Sequence, residues 1–550
     1  MSQTSRQAFR RSETDAPNII LLYADQMRAD AIAAAGNPAI HTPNLDRLAA
    51  EGVLFSHCCS TTPVCVAARY SLLTGRRENE TGSWANNRPE VEPLLNTIPE
   101  LLGARGYYTH AIGKMHFFPT RRHYGMHSRE VMQEIPRWPQ DDDYLTWLIE
   151  EGYGHKREIH GVRNLLYVQP QTSPLPQEAH GTWWCGDRME AFLRANAGRR
   201  FFMWTGFIGP HPPYNVPAPW ESMYDLDEVP FPIQVDRDPD TLPLQMQMLR
   251  YYANYENASD DRLRRCVALY YAACSLIDHQ VGRMLDTLEE LNILDETLIV
   301  FTGDHGEMLG DFNACQKMSP YESSVRVPLL MRWPERLEGG RVCDDLVGCT
   351  DLFPTFMDAA GVEHPVLEDL PGASLLGADG GGHADARDEW VTCFGAGRSR
   401  WLSLRRPGVK YTYYCDNGFE ELYDLSADPI EEHNLLLEGA DGARSTADEM
   451  RSRLVEWEKA NGFPDGTVEG DDFKNFGVEE PVRRRNNQFP QWVDYIPDEM
   501  RDQLEPPGKA VEEALAREDT LDIEELDLAW FKENGGSLEG SRWEGLLEDY

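Results

Sequence analysis

Short apolar runs punctuate the chain, and between them apolar positions recur every three to four residues. Residues 19–23 (IILLY), 109–112 (THAI), 201–204 (FFMW) and 297–301 (TLIVF) are such runs. Strands buried on both faces of a parallel sheet have this character. Helices are expected over 42–52, where Thr42-Pro43 marks the start and Gly52 the stop, and over 98–105. A third begins at Cys65, where the turn Thr61-Thr62-Pro63 gives way to the helix-forming run Ala67-Ala68-Arg69-Tyr70-Ser71-Leu72-Leu73. From Val267 the positions Tyr270, Cys274, Ile277, Val281, Met284 and Leu288 follow at three-to-four spacing, making one core-facing stripe of a long helix. Alternating strands and helices of this kind predict an α/β fold.

Other stretches read differently. Residues 120–180 are rich in Pro, Gly, His and charge without a clean period, which suggests a long insertion near the site. A Gly/Ala/Asp-rich stretch around residue 385 reads as a linker. Beyond it, 390–394, 401–404 and 410–414 read as short antiparallel strands.

Composition narrows the function. A chain of 550 residues can bury a large core and divide into more than one domain. Asp and Glu outnumber Lys and Arg by 92 to 52, a formal charge of −40, which argues against a nucleic-acid or anionic-membrane partner. No apolar run reaches membrane-spanning length, and residues 1–16 lack the apolar segment of a secretion signal. Eleven cysteines, an odd number with no paired C-x-x-C pattern, are read as reduced thiols in the cytoplasm.

The candidate chemistry lies where predicted strands end. Asp25 and Gln26 follow the first run, Lys114 and His116 the second, His211 the third, and Asp304 and His305 the fourth, with Lys317 beyond. Open α/β sheets bind ligands at the carboxyl ends of their strands. Cys65 opens a helix, where backbone N–H groups favour an anion, and Arg69 stands one turn further on. Taken singly, Asp25 is equally a strand-to-loop cap and Cys65 a small buried apolar residue. Together, two carboxylates, an amide oxygen and an imidazole can bind a divalent cation. Two Lys and two His can grip and protonate an anionic ester. The oxygen-rich set suits Ca²⁺ or Mg²⁺, and the imidazole keeps Mn²⁺ open.

These residues resemble the type I sulfatases of the alkaline phosphatase superfamily. The resemblance rests on ADQMRAD (24–30), TPNLDRLAAEGV (42–53), CVAAR with LLTGR (65–76), GKMHF (113–117), GPHPPY (209–214), TGDHGEMLGD (302–311) and ELYDLSADPIEEHNL (421–435). It implies a large mixed, mainly parallel sheet sandwiched by helices, with a small C-terminal antiparallel-sheet subdomain and an acidic tail. The expected divisions are an extension over 1–16, a catalytic domain over 17–385, an α+β subdomain over 386–480 and a tail over 481–550. The resemblance implies that Cys65 is oxidised to formylglycine, whose hydrate is the nucleophile, and that Arg69 holds it. It places Asp25, Gln26, Asp304, His305 and the modified Cys65 on metal-ligand positions. It places Lys114, His116, His211 and Lys317 on sulfate-binding and proton-transfer positions.

Three positions depart from the pattern: Ala67 where many relatives have Pro, Gln26 where a second carboxylate is usual, and Phe312 where relatives often carry His. Asp-Gln and Asp-His ligand sets also occur in phosphonate and phosphodiester hydrolases, so such an enzyme is one alternative. An unmodified, inactive binder of sulfated ligands is another. The implied partners are a small sulfated substrate and a formylglycine-generating maturation enzyme in a bacterial cytoplasm. The tail is a possible route to a homo-oligomer. Asp304→Ala is expected to abolish activity with little loss of fold.

Overall fold

In the computed structural model of the chain, the described residues are 16–87, 96–136, 139–154, 156, 159–161, 170–234, 242–253, 259–377, 381–382, 387–477 and 521–522. Residues 1–15, most of the stretch around 385 and nearly all of the 481–550 tail lie outside them, and with them the expected extension and tail-borne oligomer.

Fourteen strands carry the architecture. They are β1 (Asn18–Asp25), β2 (Val53–Cys59), β3 (Tyr108–Gly113), β4 (Ser128–Val131), β5 (Gln171–Thr172), β6 (Phe201–Pro210), β7 (Asn215–Val216), β8 (Thr297–Gly303), β9 (Leu329–Arg332), β10 (Arg341–Gly348), β11 (Trp390–Phe394), β12 (Trp401–Arg406), β13 (Val409–Tyr414) and β14 (Glu420–Asp424). Eight form one sheet in the order β10-β2-β9-β8-β1-β6-β3-β4. Its pairings are parallel except for β9, which runs antiparallel to both β2 and β8. β1 lies between β6 and β8, so the residues after these three strands emerge side by side.

Side-chain alternation along the central strands explains the two helical layers. Ile20, Leu22 and Ala24 of β1 face a core shared with Leu45, Leu48, Met189, Ile277 and Met284. Ile19, Leu21 and Tyr23 face the opposite core, with Val66, Tyr70, Leu101 and Phe356. Strands buried on both faces need apolar residues at every position, which is why they appear as continuous runs. The helix Asp260–Glu290 covers the first face, and the predicted stripe from Val267 to Leu288 is buried throughout. The helices Cys65–Thr74, Ile98–Ala104 and Leu352–Ala360 cover the second.

A second sheet, β11-β12-β13-β14, is antiparallel and backed by the helix Ala443–Asn461. Its other face braces the site loops. Thr392 Oγ1 donates to Ser60 O at 2.9 Å and Trp401 Nε1 to Met318 O at 2.9 Å. Tyr321 Oη donates to Glu421 Oε1 at 2.8 Å. The departure at Phe312 belongs to this contact: its ring stacks on Tyr321 with centroids 4.0 Å apart, so the position packs an apolar interface.

The stretch 120–180, expected as a long insertion without a clean period, carries regular elements among its described residues. It contributes β4, an edge strand of the main sheet, and the helix Asp143–Glu150.

Candidate active site

Two glycines bring β3 and β6 close enough to aim Lys114. A Cβ on Gly206 would lie 2.0 Å from Lys114 O, and one on Gly113, at φ +82°, would lie 2.2 Å from Gly206 O. Lys114 N–H donates to Gly206 O at 2.7 Å, which turns the chain out of the sheet directly into the site.

The structure gathers Asp25, Cys65, Asp304 and His305, with one ligand atom from each within 4.8 Å of the others, all buried. Cys65 is the first residue of the helix Cys65–Thr74, behind an extended Val64. Every residue of that helix is buried, so the helix is apolar around most of its surface, and Gly75 ends it in the left-handed region. Cys65 Sγ lies 3.2 Å from His305 Nε2 and 3.7 Å from Asp25 Oδ1. Burial, with Asp25 adding to it, pushes the thiol up to about 12. Burial here opposes the anion that a helix N-terminus favours.

Arg69 is fully buried one turn later and ties the cluster together. Its Nη2 donates to Asp25 Oδ2 and its Nε to Asp304 Oδ2, both at 3.0 Å, while Nη1 donates to Lys114 O at 2.7 Å. Burial by itself raises the Asp25 carboxyl, but Lys114 and Arg69 hold it well below the usual range. His305 Nδ1 bonds to Gly306 O at 3.0 Å, so the proton sits on Nδ1 and the Nε2 lone pair faces the cluster. Burial lowers the His305 imidazole, keeping that lone pair free.

This donor set fits a hard divalent cation. Two carboxylates and one oriented imidazole converge on one point, and the backbone bond at Nδ1 fixes the His305 tautomer as metal-binding histidines need. Gln26 sits beside them in the left-handed region at φ 64°. Its N–H donates to Asp304 Oδ1 at 2.9 Å and its Oε1 accepts from Lys317 Nζ at 2.5 Å.

The predicted anion-binding groups also converge. Lys114 Nζ is 2.5 Å from Asp25 Oδ2. Lys317 Nζ lies 2.7 Å from His211 Nε2. His211 Nδ1 is 2.5 Å from Pro212 O, so Nδ1 carries the proton and Nε2 accepts from Lys317. Burial holds His211 well below its ordinary value, hence neutral. His116, at φ 58°, has an Nδ1 without a hydrogen-bond partner, and burial with Lys114 lowers its ring to about 3.

Two site acids escaped the sequence reading. Glu307 accepts from Leu309 N–H at 2.9 Å and Gln316 N–H at 2.5 Å, and also from Gln26 Nε2. Its place two residues after His305, in a loop behind a buried strand, was the available signal. Glu134 bonds Lys114 and comes from the aperiodic stretch, where nothing distinguishes it from other acids.

The fold is that of the alkaline phosphatase superfamily. It is similar to a phosphonate monoester hydrolase of Agrobacterium radiobacter, with a TM-score of 0.68 at 23% identity, covering 81% of this chain and 96% of that one. The chain belongs to the type I sulfatase family: the Sulfatase family model matches residues 17–362. A second model, N-sulphoglucosamine sulphohydrolase, C-terminal, matches 310–460. The chain is 30% identical over 479 residues to an arylsulfatase of Clostridium perfringens, covering 82% of this chain and 96% of that protein. It is 27% identical over 467 residues to arylsulfatase K of Rattus norvegicus, covering 80% of this chain and 78% of that protein. It is a sulfuric ester hydrolase.

Proposed function

We propose that the protein hydrolyses a small sulfate ester to an alcohol and inorganic sulfate, using formylglycine made from Cys65 and a divalent cation. Asp25, Gln26, Asp304, His305 and residue 65 would hold the cation, with Ca²⁺ preferred and Mg²⁺ or Mn²⁺ possible. A maturation enzyme in a bacterial cytoplasm would make the formylglycine. The observation that carries this reading is the buried cluster of Asp25, Cys65, Asp304 and His305, with Cys65 at a helix start.

The hydrated aldehyde supplies one hydroxyl to attack sulfur and another to release sulfate, and the cation supplies Lewis acidity. The chain's own residues do the rest. Arg69 fixes both carboxylates in one geometry. Lys114 and Lys317 present positive charge to the sulfuryl oxygens, where a single well-placed donor is typically worth ~10²–10³ in rate. His211 or Lys317, which face each other, protonates the leaving alcohol oxygen. His116, neutral and with a free Nδ1, takes up the second hydroxyl proton.

Gln26 and His305 at metal positions favour a second reading as a phosphonate monoester or phosphodiester hydrolase, while Lys114 and His116 favour sulfate. Steady-state rates on matched aryl sulfate and aryl phosphonate esters test this. We expect the sulfate to give the higher kcat/KM. A faster phosphonate would select the second reading, and binding of the sulfate without turnover by protein with an intact thiol would mark an inactive binder.

A further inference from the structure

Glu134 is an acid that the chemistry above does not use, placed where an anion must bind. It is 8% exposed. One carboxylate oxygen accepts a hydrogen bond from Lys114 Nζ, and the other lies 3.5 Å from His211 Nε2. The backbone before it is pinned: Met132 N–H donates to Gly113 O at 3.1 Å, Val131 N–H to Asp143 Oδ2 at 2.6 Å and Gln133 N–H to Asp142 Oδ2 at 2.5 Å. The carboxylates of Asp142 and Asp143 at a helix start on one side, and the end of β3 on the other, therefore set where Glu134 stands.

A buried carboxylate in an anion pocket weakens that pocket, because like charges repel more strongly away from water. The two lysines are not equivalent. Lys114 meets the carboxylates of Asp25 and Glu134, whereas Lys317 bonds the neutral Gln26 Oε1 and His211 Nε2. Hydrolysis turns a singly charged ester, R–O–SO₃⁻, into doubly charged sulfate. Each added ligand charge meets Glu134 repulsion again.

We propose that Glu134 sets the charge preference of this pocket, favouring singly charged esters over doubly charged ligands and promoting release of the sulfate dianion. This rests on the sulfate-ester reading. Glu134 acts through Lys114 and the local field, as a positioning and specificity residue. It disfavours aryl phosphate, which carries two charges near neutral pH, while a singly charged phosphonate monoester passes. The filter thus sorts ligands by charge and not by central atom.

The test compares wild type, Glu134→Gln and Glu134→Asp, each first shown to be folded by its thermal transition. Calorimetric titration uses sulfate, with two charges, and methanesulfonate, with one. Kinetics use matched aryl sulfate and aryl phosphate. In Glu134→Gln we expect sulfate to bind about tenfold more tightly and methanesulfonate, with half the charge, about threefold more tightly than wild type. The aryl phosphate to aryl sulfate ratio of kcat/KM should rise about threefold. Glu134→Asp keeps the charge and should keep the wild-type ratios even if Glu134→Gln fails to fold. A merely structural role would weaken both ligands alike. An unchanged dianion-to-monoanion ratio in folded Glu134→Gln, a lost preference in Glu134→Asp, or no binding of either anion to wild type would overturn the proposal. If wild type turns over no sulfate ester but the titrations show the charge preference, the functional reading falls, and with it the role in ester choice and product release, while the ligand-charge preference alone stands.

Discussion

Arg69 Nε lies 3.0 Å from Asp304 Oδ2, joining two fully buried side chains 235 positions apart in the chain. Because the same guanidinium also holds Asp25, the pair fixes the spacing of both carboxylates before any cation binds.

Lysine cannot reproduce that fork. Arg69→Lys keeps the charge but offers one ammonium in place of donors to Asp25, Asp304 and Lys114 O. We expect kcat/KM on an aryl sulfate to fall by ~10² or more and stability to drop by about 3 kcal/mol, because a buried pair is broken. Steady-state kinetics and urea unfolding check the two losses separately.

Asp304→Ala should also cost stability, which corrects the expectation of little loss of fold. Asp304 takes hydrogen bonds from Arg69 Nε, Gln26 N–H and His305 N–H, all buried, and alanine leaves those donors without it. A loss of about 3 kcal/mol is expected. Denaturant midpoints of Asp304→Ala and Asp304→Asn, measured with chelator present, give the size of the effect.

Chelation should abolish turnover and lower the thermal midpoint without unfolding the protein, since Arg69 still holds both carboxylates. Adding back Ca²⁺, Mg²⁺ or Mn²⁺ ranks the cations by recovered rate. Near-normal turnover after elemental analysis shows the metal gone would contradict the metal assignment.

Much of this site was legible because it sits at strand ends. The runs 19–23, 109–112, 201–204 and 297–301 lie within β1, β3, β6 and β8, and the polar residues after each meet in space. β10 was missed because it is an edge strand: Arg341, Asp344 and Asp345 break its apolar pattern, and its register shifts between Cys343 and Leu346. β9 is short and reads as a Pro-bounded fragment. Glu134 was invisible because its role comes from β4 pairing and from the Asp142 and Asp143 carboxylates that accept the Gln133 and Val131 N–H groups, which are tertiary facts.

Acid should weaken the join between the two sheets. Burial first, then Arg405 and Arg326, lower His57 to about 4, and Arg405 Nη2 lies 3.1 Å from its Nδ1. A depressed histidine stabilises the fold above its unfolded value near 6.5, and that stability is lost as pH falls from there towards 4. The ring is part-exposed, so screening leaves about 1 kcal/mol. His57→Gln should flatten this part of the stability profile, read as urea midpoints across the window.

Ala67→Pro should fold and change how Cys65 matures. Position 67 is the third residue of its helix, where the backbone N–H has no intrahelical acceptor, so proline removes no helical bond. The site is fully buried, and the larger ring should cost about 1–3 kcal/mol. The formylglycine fraction, measured by peptide mass spectrometry on both proteins made in the same host, should differ between the wild type and Ala67→Pro.

Turnover is expected to depend on formylglycine at position 65. The direct measurement sets the formylglycine fraction of the Cys65 peptide, by mass spectrometry, against the multiple-turnover rate on an aryl sulfate across preparations matured to different extents. We expect a line through the origin, with Cys65→Ala at zero. Full multiple-turnover activity from protein whose peptide shows only the thiol would contradict it.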